Sequence, residues 1–163
     1  MSVESYWRLR SLLKCGLGVD RAYQDNLESQ MIIQRLAFLL SETGVKLPWS
    51  FGWNIRGPFS TGLAGDAFHA VRVKEKLPRL EDSDKKICNR LRSLLQPDVE
   101  DSYALELLSS LVYVRKNMYG ALAFSHLRTR LVKDLAVGRN AFSTDNVEDF
   151  MDRVQRTIPV LLQ

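Results

Sequence analysis

The sequence predicts a mainly α-helical fold with a small β component (α+β): a compact single-domain bundle, 1–163, of about seven helices, with a short β element before a Gly-Pro turn. Three observations predict it. Apolar residues recur at steps of three and four through most of the chain, the period of a helix with one buried face. Glycine or proline interrupts each such run. One stretch, 47–56, breaks the pattern with weak alternation and aromatics at Trp49, Phe51 and Trp53, as an extended segment does. The chain has 163 residues, 45% hydrophobic and 26% charged, which are globular values that need no disulfide or metal staple. No linker is long enough to divide it.

The first helix is expected over about 3–15, with Val3, Tyr6, Leu9 and Leu13 inward and Arg8, Arg10 and Lys14 on the wet side. Gly16 and Gly18 end it. The second spans about 26–43, with Leu27, Met31, Ile32, Leu36, Leu39 and Leu40 as its apolar stripe, closed by Gly44 and Pro48. The extended segment follows, then Gly57-Pro58, read as a turn. Ser60 or Thr61 is placed to cap a helix over about 62–73. The charged stretch 74–84, holding Pro78, reads as a loop. Further helices are expected over about 83–95, 100–117 and 120–136, and from Ser143 to the end, where Asp145 and Glu148 form a capping-box-like pair.

No pattern in the chain carries recognisable chemistry. A metal site needs clustered ligands, whereas His69 and His126 fall on different predicted helices without HExxH spacing. Cys15 and Cys88 are far apart, outside any CxxC, and read as idle thiols. There is no GxSxG nucleophile elbow. Gly57, Gly62 and Gly65 lack the Lys-Ser/Thr pair of a phosphate-cradling loop. The carboxylates at Glu81-Asp82 and Asp98-Glu100-Asp101 fall in loops or at helix starts, where negative charge is favourable by itself. The expectation is a non-enzyme without cofactor or metal. No charged-then-apolar leader opens the chain, and no apolar run approaches the ~18 residues of a membrane span, so the expected location is cytoplasmic.

Charge is more informative. The formal net charge is +4. Arg115, Lys116, Arg128, Arg130, Lys133 and Arg139 stand against one acid, Asp134, and a second basic set, Lys85, Lys86, Arg90 and Arg92, flanks Ile87. Such a face suits a DNA or RNA backbone or an acidic partner; the plainer reading is a solvated face partly paired with the acidic start of the last helix, Asp145 to Asp152. The aromatics at 49–53 offer a stacking surface for bases, although their alternation favours packing.

The most specific motif is Phe51-Gly52-Trp53-Asn54-Ile55-Arg56-Gly57-Pro58-Phe59-Ser60-Thr61-Gly62-Leu63, preceded by the apolar helix Ile33 to Leu40. It resembles the uncharacterised YwgA-type proteins and, more distantly, the SocA-like Panacea family of prokaryotic antitoxin domains. There a Lys-Leu-x-Tyr-Leu helix precedes a Tyr-Gly-Pro-Tyr-Ser turn; here Arg35-Leu36-Ala37-Phe38-Leu39 and Arg56-Gly57-Pro58-Phe59-Ser60 stand at those places. Leu105-Glu106-Leu107-Leu108 and Phe142-Ser143-Thr144-Asp145 also look like the YwgA-type pattern. Arg56 replaces the usual aromatic, and Phe59 lacks a tyrosine hydroxyl. The resemblance implies a helical domain that binds protein partners, such as a toxin or a defence-complex subunit, through Trp53, Arg56, Gly57, Pro58, Phe59 and Ser60. Read physically, the same residues make a rigid corner: Pro58 fixes the backbone, Gly57 relieves crowding and Ser60 caps the next helix.

Overall fold

The computed structural model describes residues 3–54, 57–96 and 98–117, together with Thr129, Arg156 and Thr157. Its elements are α1 (Val3–Ser11), α2 (Leu27–Thr43), β1 (Gly52–Asn54), β2 (Gly57–Phe59), α3 (Thr61–Ala70), α4 (Asp82–Leu95) and α5 (Ser102–Asn117). The protein is mainly helical, with five α-helices and a two-stranded sheet among the described residues. The helices expected over 120–136 and from Ser143 lie outside them. No described helix is long and apolar enough to cross a membrane.

Helix α2 is the centre of the packing. Every residue from Ile32 to Leu40 is buried, and a helix covered on all sides belongs inside a core. Helices α4 and α5 and strand β2 pack around it. Asn26 starts it in extended conformation, its side chain accepting a hydrogen bond from the Ser29 N–H at 2.8 Å. Gly44 ends it at φ 126°, donating to the Leu40 carbonyl, a geometry that glycine adopts cheaply. Leu9, Leu13, Ile32, Leu36, Leu91 and Leu108 join one hydrophobic core, and each such side chain contributes about 1.5–3 kcal/mol by leaving water.

Helix α1 lies against α3 and runs on through a π-helical stretch, Leu12–Leu17, that packs on α4. The approach is close: a Cβ on Gly16 would fall 2.5 Å from Cys88 Sγ. Gly18, at φ 74°, then turns the chain. The expected single helix over 3–15 is therefore α-helical only to Ser11. A second correction concerns Arg10. It is buried, not on the wet side. Its guanidinium donates to the Arg21 carbonyl and to Glu75 Oε1 (3.2 Å), and stands 3.5 Å from Asp20 Oδ1. Three groups from outside the helix thus compensate a charge that helical periodicity alone assigns to water.

Gly57-Pro58 is not the turn itself. Gly57, Pro58 and Phe59 form the second strand of an antiparallel hairpin, opposite Asn54, Trp53 and Gly52 respectively. Pro58 has no N–H for the ladder and is tolerated because both strands are edges.

Candidate functional site

The hairpin is held from beneath by Gln34 of α2. The Gln34 amide donates to the Ser60 carbonyl at 2.9 Å and accepts from the Ser60 N–H at 2.8 Å; its nitrogen also donates to the Tyr23 hydroxyl at 3.0 Å. Ser60 Oγ is left to cap α3, accepting from the Leu63 N–H at 3.1 Å. Gly57 has φ 111° and lies against α5, where an added Cβ would come 3.0 Å from Ser110 Oγ. Gly57, Pro58 and Ser60 are buried, and Phe59 is half-buried. Four of the six motif residues are thus largely interior. Arg56 lies outside the described residues.

Trp53 is the exception, 48% exposed on β1. Its ring packs on Tyr113 of α5 (centroids 5.3 Å apart), Tyr113 on Phe38 of α2 (6.0 Å), and Phe38 on Phe51 (5.4 Å). This row of rings runs from the core to the surface. Beside it lies a cleft of about 460 Å³, lined by Phe38, Glu42, Trp49, Phe51, Tyr113 and Lys116 among others. At the cleft Lys116 Nζ meets Glu42 Oε1 at 2.6 Å. On the α3 side, the Trp49 indole N–H donates to the buried Asp66 carboxylate at 2.8 Å, pinning the extended segment to the helix.

The predicted basic face divides. Arg115 is exposed at the end of α5, and Lys116 is engaged by Glu42. Arg128, Arg130, Lys133 and Arg139 lie outside the described residues. The second set, Lys85, Lys86, Arg90 and Arg92, is exposed along α4.

His69 is exposed, its Nδ1 2.7 Å from the Gly65 carbonyl of its own helix; His126 lies outside the described residues. Among the described residues no group of three metal-ligating side chains forms. Cys15 is exposed and Cys88 buried. Burial and the charge of Asp84 push the Cys88 thiol up to about 11. Asp101 accepts from the Ala104 N–H at 3.0 Å, so this carboxylate caps α5, the role read for acids at helix starts.

Gln34, Asp66 and Tyr113 are the site residues that sequence reasoning passed over. The available signal was Gln34 itself, a polar side chain inside an apolar run that leaves the helix no wet face. Compared with known proteins, the chain matches no family model, no curated protein and no solved structure.

Proposed function

We propose that this chain is a non-enzymatic protein-interaction or regulatory module of the prokaryotic cytoplasm, antitoxin-like or part of a defence assembly, with Trp53 as its anchor. The observation that carries the reading is the setting of Trp53: half-exposed, yet packed in a tilted contact on Tyr113 and mounted on a hairpin locked to α2 and lying against α5. Interfaces concentrate their binding energy in aromatic anchors, and an anchor fixed before binding loses little entropy on docking. The resemblance of 51–63 to YwgA-type and SocA-like proteins supports a protein, such as a toxin or another complex subunit, as the partner class. Gly57, Pro58, Phe59 and Ser60 then act by holding the hairpin rather than by touching the partner.

The alternative, DNA or RNA binding through 115–139, keeps only Arg115 and Lys116 among the described residues, and Lys116 is held by Glu42.

Affinity purification from the native host tests the reading, using the wild-type chain and Trp53→Ala after nuclease and high salt. The expected result is a specific protein that survives both treatments and is lost with Trp53→Ala, at unchanged thermal stability. A partner retained equally by the variant, or no specific partner at all, overturns it.

A further inference from the structure

We propose that the outward face of α4, with the clefts on either side, is a binding site for the phosphodiester backbone of a nucleic acid. The site is distinct from the hairpin and does not depend on its role.

The amphipathic pattern of α4 creates the face. Asp84, Cys88, Leu91, Leu94 and Leu95 point inward, while Lys85, Lys86, Asn89, Arg90, Arg92 and Ser93 are exposed. A cleft of about 350 Å³ on one flank is lined by Cys15, Gly16, Arg79, Lys85, Asn89 and Arg92 among others. A second, of about 350 Å³, lies on the other flank, with Arg90, Ser93 and Arg156. Asn89 borders both. Among the described residues, Arg79, Lys85, Arg90 and Arg92 line these two clefts and no carboxylate does; Arg156, at the second cleft, already has a partner.

Exposed cations without an ion pair among the described residues also stand at Arg72, Lys74 and Lys76, but around α4 several are gathered on one helix and its flanking cleft. Four arginines elsewhere are engaged by carboxylates: Arg8 with Asp84 (2.9 Å), Arg10 with Glu75 (3.2 Å), Arg21 with Glu100 (2.7 Å) and Arg35 with Glu106 (3.8 Å). Arg79, Arg90 and Arg92 have no ion pair among the described residues, and Lys85 reaches only Asp82, at 3.8 Å on the exposed helix start. Guanidinium forks with amide and hydroxyl groups between them are suited to phosphate oxygens.

The length is also suitable. Lys85 to Arg92 spans about 10 Å of helix, room for about three phosphates of a duplex strand at 3.4 Å along its axis. An anionic membrane is the poorer fit. An interfacial helix carries large apolar side chains beside its cations, and among the described residues the exposed large apolar ones are Leu27, Trp53, Phe68, Val71 and Val73, none of them on α4.

Cys15 provides a reporter, because it is exposed in the lining of the first cleft while Cys88 is buried. The experiment uses the full chain with short single-stranded RNA, single-stranded DNA and duplex DNA. It reads fluorescence anisotropy and the rate of Cys15 alkylation. With Arg79, Lys85 and Arg92 each neutralising one phosphate, affinity for a single strand should fall roughly 20-fold between 50 and 200 mM salt, a log–log slope of about −2. Arg79→Glu with Arg92→Glu should reduce binding at least tenfold and flatten the slope toward about −0.7. The milder Arg79→Gln with Arg92→Gln should flatten it likewise, which guards against a charge-reversal variant that fails to fold. Bound oligonucleotide should slow Cys15 alkylation. The proposal is overturned if no nucleic acid binds, if the double variants bind like wild type, or if Cys15 labels at the same rate in the complex. It is overturned equally if anionic vesicles or tripolyphosphate protect Cys15 and oligonucleotides do not.

Discussion

The side-chain amide of Gln34 binds the backbone of Ser60 as a neighbouring strand would, donating at 2.9 Å and accepting at 2.8 Å, with both residues buried. Because Gln34 takes only backbone groups of Ser60, the two residues fail differently. Gln34→Ala leaves the Ser60 N–H buried without a partner, while the Ser60 carbonyl keeps the Ala64 N–H at 3.2 Å; with the cavity it opens, it should destabilise the fold by about 3 kcal/mol. Ser60→Ala keeps the lock and loses the cap of α3, at about 1 kcal/mol. Urea unfolding of both variants checks the order. If Ser60→Ala is the more damaging, the cap and not the amide holds the corner.

Two glycines are required for different reasons, and a second substitution separates them. Gly16 has no unusual φ; its Cβ would meet Cys88 Sγ at 2.5 Å and Cys88 Cβ at 2.8 Å. Gly16→Ala should cost about 1–3 kcal/mol by overpacking. Cys88→Ala in that background removes the sulfur but not the Cβ, so it should recover part of the loss, as a coupling above about 0.5 kcal/mol. Gly57→Ala combines a φ of 111° with a 3.0 Å approach to Ser110 Oγ. The backbone strain, about 1–3 kcal/mol, stays when Ser110 is also changed to Ala. Recovery at 57 and none at 16 would reverse this assignment.

These contrasts explain what the sequence made legible. The caps Gly44 and Ser60 were readable because each acts on a residue within four positions. Gly57-Pro58 was misread because Gly-Pro is locally a turn, whereas its pairing with Gly52–Asn54 depends on the register of the hairpin. Arg10 was misplaced because Glu75, which accepts its charge, is 65 residues away. At the candidate site Trp53 was visible as an aromatic in an extended run, but Tyr113, the ring it packs on, comes from α5. The α4 cations were countable in sequence; that Arg79, Arg90 and Arg92 lack ion pairs among the described residues is a property of the folded neighbourhood alone.

Lys116 separates charge that binds from charge that braces. Its ammonium is 2.6 Å from Glu42, whose side chain is mostly buried, while half of the lysine side chain remains in water. Lys116→Met should therefore cost only about 0.5–1 kcal/mol, shrinking with added salt. It should leave oligonucleotide affinity unchanged, in contrast to the Arg79/Arg92 variants. A loss of affinity equal to theirs would move the nucleic-acid surface back to the end of α5.

The Cys88 thiol sets an alkaline limit on stability. Burial first, and the charge of Asp84 second, push it up to about 11, against about 8.5 in an unfolded chain. The folded thiol keeps its proton where the unfolded one has lost it. The unfolded state then binds fewer protons, and stability falls as pH rises. The contribution is fully present below about pH 8.5 and is lost as pH rises through about 11. It should amount to on the order of 2–3 kcal/mol across that window. Burial also raises Tyr6 and Tyr23, so wild type alone would blend three groups. Urea unfolding of wild type and Cys88→Ala at steps between pH 8 and 11 isolates the thiol, because the tyrosines act in both proteins. The variant should start lower, from the lost sulfur packing, and decline less steeply, so that the two curves converge with rising pH. Parallel curves would mean that the Cys88 thiol titrates alike in the folded and unfolded chains, and that its contact with Gly16 is one of packing alone.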